Sequence, residues 1–297
     1  MTRYFLRLGL LLLVGLNLSA SETIRVATYN LQNYLVMDRL VEGRWRPEYP
    51  KPEVEKTAVR QVILEVKPDI LLLQEIGGPE FLQELLLDLG DADLLYDYAV
   101  LMQGEDEVRH VALLSKKKPI EVVQHDDLDF KYFEQRRQVK RGLLEVAFEL
   151  SDGQILKVFG VHLKSHWSNE PRDSESSMRR TREARACRDR IIERTLNVGE
   201  PLFLVAGDFN DHPASAPLRR FYQKGDLVFG QLLPISDSRG HGWTHFYQEH
   251  GAYTQVDGFV LSPELLKRVK GGRGRIVDLP EALTGSDHRL VYFDLIQ

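Results

Sequence analysis

Leu202–Pro213, LFLVAGDFNDHP, decides how the chain is read. Leu202 to Gly207 form an apolar run that breaks at a glycine, the pattern of a buried strand, and Asp208, Asn210, Asp211 and His212 follow at once. A buried strand is a rigid platform. A carboxylate, an amide and an imidazole presented at its end can be held to the tolerance that catalysis needs. Taken alone, the stretch favours an Asx-rich turn, because Asp and Asn side chains cap their own backbone. The same strand-then-polar pattern recurs at Asn30, Glu75, His162, Asp257 and Asp287-His288, however, and six such edges favour convergence on one site.

Outward from that stretch, strands and helices alternate. Ile24 to Asn30 reads as a strand rich in β-branched residues, followed by a polar loop holding Trp45, Pro47, Pro50 and Pro52. Val54, Ala58, Val62, Ile63 and Val66 recur at helical spacing up to Pro68; Asp69 to Glu75 is a short buried strand and Phe81 to Leu89 a second helix. Between Leu94 and Leu150 the spacing predicts a meander of strands over 96–102, 108–115, 120–124 and 142–150. Gln154 to Val161 is a strand ending at His162, and a long helix follows over 179–196. Farther on come a short helix near 218–222, strands over 243–246 and 253–261 with Asp257 in the middle of the second, and a last strand over 290–295. The two halves share this order, which implies an α/β chain of two packed sheets with helices outside, in one domain over 21–297.

Arg3 and Arg7 precede an apolar run from Leu8 to Leu16 and then small residues up to Ala20, the pattern of a secretory signal peptide over 1–20. The run is shorter than the ~20 residues of a membrane span, so a secreted or periplasmic protein without a transmembrane segment is expected. Removal of that leader takes the formal charge from −5 to −7, which disfavours nucleic-acid binding through overall charge but leaves a local basic groove open. Cys187 is the only cysteine, so no internal disulfide can form and stability must come from the core.

The segments ATYNLQN, LLLQE, GVHLKSH, VAGDFND, YTQVDGFVLS and GSDHRLV, in this order, resemble the signature segments of the endonuclease/exonuclease/phosphatase superfamily. The resemblance implies a four-layer α/β sandwich, two mixed β-sheets flanked by helices, that cleaves phosphate esters with a divalent metal. It extends to deoxyribonuclease I, exonuclease III, sphingomyelinases and inositol polyphosphate phosphatases, so it leaves the substrate open. Position by position, it makes Glu75 the principal metal ligand with Asp287 and Asn30, and places Asp208 and Asn210 around the attacking water. His288 is then the phosphate-contacting imidazolium with Asp257 behind it, and His162 is a phosphate contact or general acid, as in the deoxyribonuclease I and sphingomyelinase branches.

The chemistry agrees with that assignment. Cleavage of a phosphodiester needs a cation on the phosphate oxygens, an activated water and neutralisation of the leaving alkoxide. Oxygen donors without thiolates suit Mg²⁺, with Mn²⁺ as alternative. An Asp inside an apolar strand is costly unless paired, and His288 supplies the partner for Asp257. Lys164 and Arg109 are candidate phosphate contacts, and Arg141 is weighed evenly against an ordinary surface role. The seven arginines over 179–194 alternate with acids, which favours a solvated, ion-paired helix over a nucleic-acid face. Gln32 stands where some branches carry a charged residue, and no extended apolar hairpin is evident. The expectation is a monomeric, exported phosphodiesterase of nuclease type. Sphingomyelinase-like or phosphomonoester activity is the alternative, and a binding module that has lost turnover the less favoured one.

Overall fold

The computed structural model describes residues 23–297, so the leader expected at 1–20 lies outside the described residues. The chain runs through β1 (Thr23–Tyr34), a hairpin of β2 (Val36–Val41) and β3 (Arg44–Pro50), α1 (Glu53–Val66), β4 (Ile70–Ile76) and α2 (Pro79–Asp91). Next come β5 (Tyr98–Leu101), β6 (His110–Ser115), β7 (Glu121–His125), a hairpin of β8 (Asp129–Tyr132) and β9 (Gln135–Gln138), β10 (Leu143–Glu149) and β11 (Ile155–His162). Helix α3 (Ser177–Arg194) leads to β12 (Phe203–Asp208), α4 (Ala216–Tyr222) and the short strands β13 (Gln223–Lys224), β14 (Leu227–Val228), β15 (Gln231–Leu232) and β16 (Ile235–Ser236). A hairpin of β17 (His245–Tyr247) and β18 (Ala252–Thr254) precedes β19 (Asp257–Leu261), α5 (Pro263–Leu266), β20 (Gly274–Ile276), α6 (Ala282–Gly285) and β21 (Val291–Ile296).

Two mixed sheets carry the fold, a seven-stranded one in the order β16-β20-β21-β1-β4-β6-β5 and a six-stranded one in the order β15-β19-β12-β11-β10-β7. The period-two alternation of each central strand decides what its faces bury. On β4, Ile70 and Leu72 point between the sheets, while Leu71 and Leu73 point toward α1 and α2. On β12, Leu204 and Ala206 point between the sheets, and Phe203 and Val205 pack beneath α3 and α4. Both faces of both sheets are therefore covered, which is why these strands read as unbroken apolar runs. The result is the four-layer α/β sandwich expected.

Several local expectations are corrected. The polar loop after Asn30 is the β2–β3 hairpin, closed by Glu42 and Gly43 at φ of 52° and 72°. Its prolines hid it, yet a two-stranded ribbon tolerates proline at positions that need not donate. The cross-strand pair Leu40 and Trp45 near its turn is 67% exposed at each residue, so this short and otherwise charged hairpin presents one apolar pair to solvent. The meander over 94–150 is divided between the sheets: β5 and β6 complete one, β7 and β10 the other, and β8–β9 packs Phe130 and Tyr132 against α3. The strand expected over 253–261 breaks after Thr254, so Asp257 opens β19 instead of standing mid-strand.

Gly207 is needed where β12 passes β11. Its φ is +142°, and a Cβ there would lie 1.9 Å from the Val161 carbonyl oxygen. Gly207→Ala must therefore push apart the strand pair that ends in His162 and Asp208. A loss of about 3 kcal/mol in urea unfolding is expected. A midpoint within error of the parent would show that the strands accommodate the methyl.

Candidate active site

Strand direction gathers the polar edges at one rim. β1 and β4 run parallel and end near Asn30 and Glu75, and β11 and β12 run parallel and end in His162 and Asp208. β19 runs antiparallel to β12, so its first residue, Asp257, pairs in register with Asp208. Asp287 and His288 arrive on the segment leading into β21, antiparallel to β1.

Asp208 is the hub. Its Oδ2 accepts from Asn30 Nδ2 at 3.0 Å and Asn210 Nδ2 at 3.1 Å, and its Oδ1 accepts from the Asn210 amide at 2.7 Å. His162 Nε2 lies 3.6 Å from Asp208 and 3.8 Å from Glu75 Oε1; His288 Nε2 lies 4.0 Å from Asp208. Asn210 has φ of 51°, so the extended backbone assumed for the Asp208–Asn210 pair does not hold. Both hydrogens of its amide are engaged, one by Asp208 and one by the Leu163 carbonyl. Asn210 thus orients the carboxylate; the phosphate-donor role read from the sequence would require it to give up one of these bonds.

The Asn30–Asn33 turn ties the two sides together. The Asn33 amide donates to Glu75 Oε2, the Asp287 amide donates to Gln32 Oε1, and Ser286 Oγ donates to the Asn30 carbonyl. Glu75, Gln32 and Asn33 all adopt positive φ, strain that marks a turn dictated by its contacts. Arg109 docks on it through Nε to Asn33 Oδ1 at 2.7 Å. Lys51, fully buried, donates to the Gln32 carbonyl. Gln32 is therefore neither a charged ligand nor a spectator: its side chain fixes the Asp287 backbone.

The imidazoles differ. His288 Nδ1 and Asp257 Oδ2 are 2.8 Å apart. Burial opposes charge on this ring, yet Asp257, Asp208 and Asp287 together raise its pKa well above the usual value. His162 is driven the other way, by burial first and then by Arg141, His288 and Arg109, so it is neutral near pH 7. Burial and then Arg141 and Lys140 push the Lys164 ammonium down to about 8, and that ammonium donates to Ser165 and to the Trp167 carbonyl. Arg141 is buried 3.0 Å from Asp106, and its Nε and Nη1 have no hydrogen-bond acceptor among the described residues.

Four carboxylates, Glu75, Asp208, Asp257 and Asp287, thus share this rim with one strongly held imidazolium. Burial and Asp257 raise the Asp208 carboxyl above its usual range, and Asp257 Oδ1 is buried without a hydrogen-bond partner among the described residues. Excess negative charge on hard oxygen donors fits a divalent cation. The arginines of α3 are largely spent elsewhere: Arg180 on Asp211, Arg190 on Asp127, Arg194 on Glu121 and Glu145. Residues that the sequence did not single out are Thr244, whose Oγ1 accepts from the Val256 and Asp257 amides, and His245, whose ring lies 4.4 Å from that of His288. No spacing pattern marks either one, because both come from a hairpin folded back over the rim.

A four-layer α/β sandwich with carboxylates, amides and imidazoles at one strand rim defines a class of metal-dependent phosphoester hydrolases. The chain belongs to the endonuclease/exonuclease/phosphatase family, whose profile matches residues 27–288. Among solved structures it is similar to an endonuclease/exonuclease/phosphatase from Bacteroides vulgatus, with 20% identity, 92% of this chain and 98% of that one covered, and TM-score 0.65. It is similar also to beta toxin from Staphylococcus aureus, at 13% identity, 91% and 99% coverage and TM-score 0.62. The catalytic domain of human Nocturnin, with bound sulfate, gives 18% identity, 92% and 93% coverage and TM-score 0.62. At such identities the likeness is one of fold. Among curated proteins, none matches the sequence.

Proposed function

We propose that this chain is an exported, Mg²⁺-dependent phosphodiesterase of nuclease type, with Mn²⁺ as a competent substitute. The observation that carries the reading is the Asp208 hub, a buried carboxylate held by two amides and flanked by one neutral and one charged imidazole. Glu75 and Asp287, beside Asn30, would hold a divalent ion, which would supply Lewis-acid polarisation of the phosphate oxygens. Asp208, fixed by Asn30 and Asn210, orients the attacking water and accepts its proton. His288, charged through Asp257, contacts the phosphate and can deliver a proton to the leaving oxygen. His162 offers a neutral N–H donor, its ring kept uncharged by burial and by the nearby Arg141, which is itself ion-paired with Asp106. Among the described residues no helix is long and apolar enough to cross a membrane.

Hydrolysis of bis(4-nitrophenyl) phosphate by the purified protein should vanish with chelator and return with Mg²⁺. Activity that survives chelation would sink the metal mechanism. Plasmid DNA at low salt then tests the substrate class, since phosphate contacts weaken steeply with salt. A second reading has one observation in its favour: the exposed Leu40–Trp45 pair suits an interfacial, lipid phosphodiester substrate. Intact DNA alongside hydrolysis of sphingomyelin vesicles would transfer the proposal to that class.

A further inference from the structure

We propose that His245, Asp287 and His288 form a second metal site, for a transition ion of the zinc class, which overlaps the phosphoester site and blocks it when filled. His245 opens β17 and bridges to His288 across an isolated antiparallel pair. Its Nε2 lies 3.6 Å from Asp287 Oδ2, and His288 Nε2 lies 3.8 Å from Asp287 Oδ1. The three side chains each offer one donor atom, and these atoms all fall within 4.8 Å of one another. Ligands ~2.1 Å from a tetrahedral ion stand ~3.4 Å apart, so small side-chain rotations suffice to close the shell.

The surroundings support coordination. A metal-binding histidine usually has its other ring nitrogen held by an oxygen, which fixes the tautomer and aims the free nitrogen. That holds for both rings: His288 Nδ1 meets Asp257 at 2.8 Å and His245 Nδ1 meets Thr254 Oγ1 at 3.4 Å. The hairpin is also anchored to the carboxylate it faces, since the Phe246 amide donates to the Asp287 carbonyl. The side chains of His245 and Asp287 are 19% and 35% exposed, which leaves room for water as a further ligand.

Two imidazoles and one carboxylate prefer Zn²⁺ or Co²⁺ to Mg²⁺, whereas Glu75 and Asp287 offer hard oxygens alone. Both sites need Asp287, and the His288 nitrogen that would bind the ion is the one facing Asp208 and the phosphate, so the ion takes the place of the Nε2 proton, which is released to solvent. The blocking effect rests on the phosphodiesterase reading; ion binding itself does not.

Metal-free protein titrated with Co²⁺ should develop visible absorption bands that one equivalent of Zn²⁺ abolishes. His245→Gln and His245→Phe should each weaken Co²⁺ binding at least tenfold, with thermal melts confirming that the variants fold. Zn²⁺ should inhibit Mg²⁺-supported hydrolysis, and the half-inhibiting concentration should rise at least tenfold in both variants, each measured against its own Mg²⁺-supported rate. Co²⁺ binding unaltered by both substitutions overturns the site. Zn²⁺ inhibition unaltered when Co²⁺ binding is weakened overturns the overlap. Co²⁺ spectra as expected in a protein inactive with Mg²⁺ support the site and count against the phosphodiesterase reading alone.

Discussion

Asp208→Asn should lower turnover on a phosphodiester by about 10²–10⁴-fold and, in the same protein, improve relative stability as pH rises. The loss follows from removing the carboxylate to which the Asn30 and Asn210 side-chain amides both donate. The stability effect follows from the raised Asp208 pKa, caused by burial and by Asp257. An acid raised on folding binds its proton more tightly in the folded state. Stability therefore falls as pH climbs from the ordinary carboxylate value of ~3.9 to the raised folded value, and the penalty is complete above it. Asparagine carries no such penalty, although it presents an NH₂ where two donors already point. Melting temperatures of metal-free parent and variant, compared from about pH 4 to about pH 8, should shift steadily in the variant's favour. A constant difference across that range would mean that Asp208 is not held against its charge. Full turnover in the variant would remove it from the chemistry.

Much of this site was legible because its residues lie at strand ends, where a change from apolar to polar is visible in one dimension. Apolar runs such as Ile70 to Leu73, and Phe203 to Ala206, announce buried strands, and Glu75 and Asp208 stand where those runs stop. Contacts made by backbone groups were not legible. That Gln32 holds the Asp287 amide, or that Thr244 caps the start of β19, depends on positive φ and on a folded-back hairpin that no periodicity encodes. The β2–β3 hairpin was hidden for a related reason: Glu42-Gly43 is a weaker turn signal than Asn-Gly, and three prolines at Pro47, Pro50 and Pro52 mask the alternation. The side chains of Asn210 and Lys164 point the same lesson. Their identities suggested phosphate contacts, while their hydrogen bonds engage them with Leu163, Asp208, Ser165 and Trp167.

His288→Ala should cost about 10²–10⁴-fold in turnover, and Asp257→Asn should move the alkaline limb of the rate profile toward acid pH. Burial alone would strip the proton from His288; the 2.8 Å contact with Asp257, helped by Asp208 and Asp287, restores it and lifts the pKa well above ~6.5. With the charged ring as the active form, as proposed above, rate should be lost as pH rises through the folded pKa. Lowering that pKa therefore brings the loss to a lower pH. The same shift stabilises the fold below the unfolded value of ~6.5 and fades as pH rises through the raised one, so Asp257→Asn should be most destabilising in acid. Asp208 and Asp287 still face the ring in that variant, at 4.0 and 3.8 Å, so the limb should move without the activity disappearing. With the ring gone, Asp257 has nothing left to hold, and Asp257→Asn added to His288→Ala should cost little more than His288→Ala alone. Multiplicative losses in the double variant would mean that the two side chains act separately, and Asp257 would then need a role of its own, for which its unpartnered Oδ1 is the available atom.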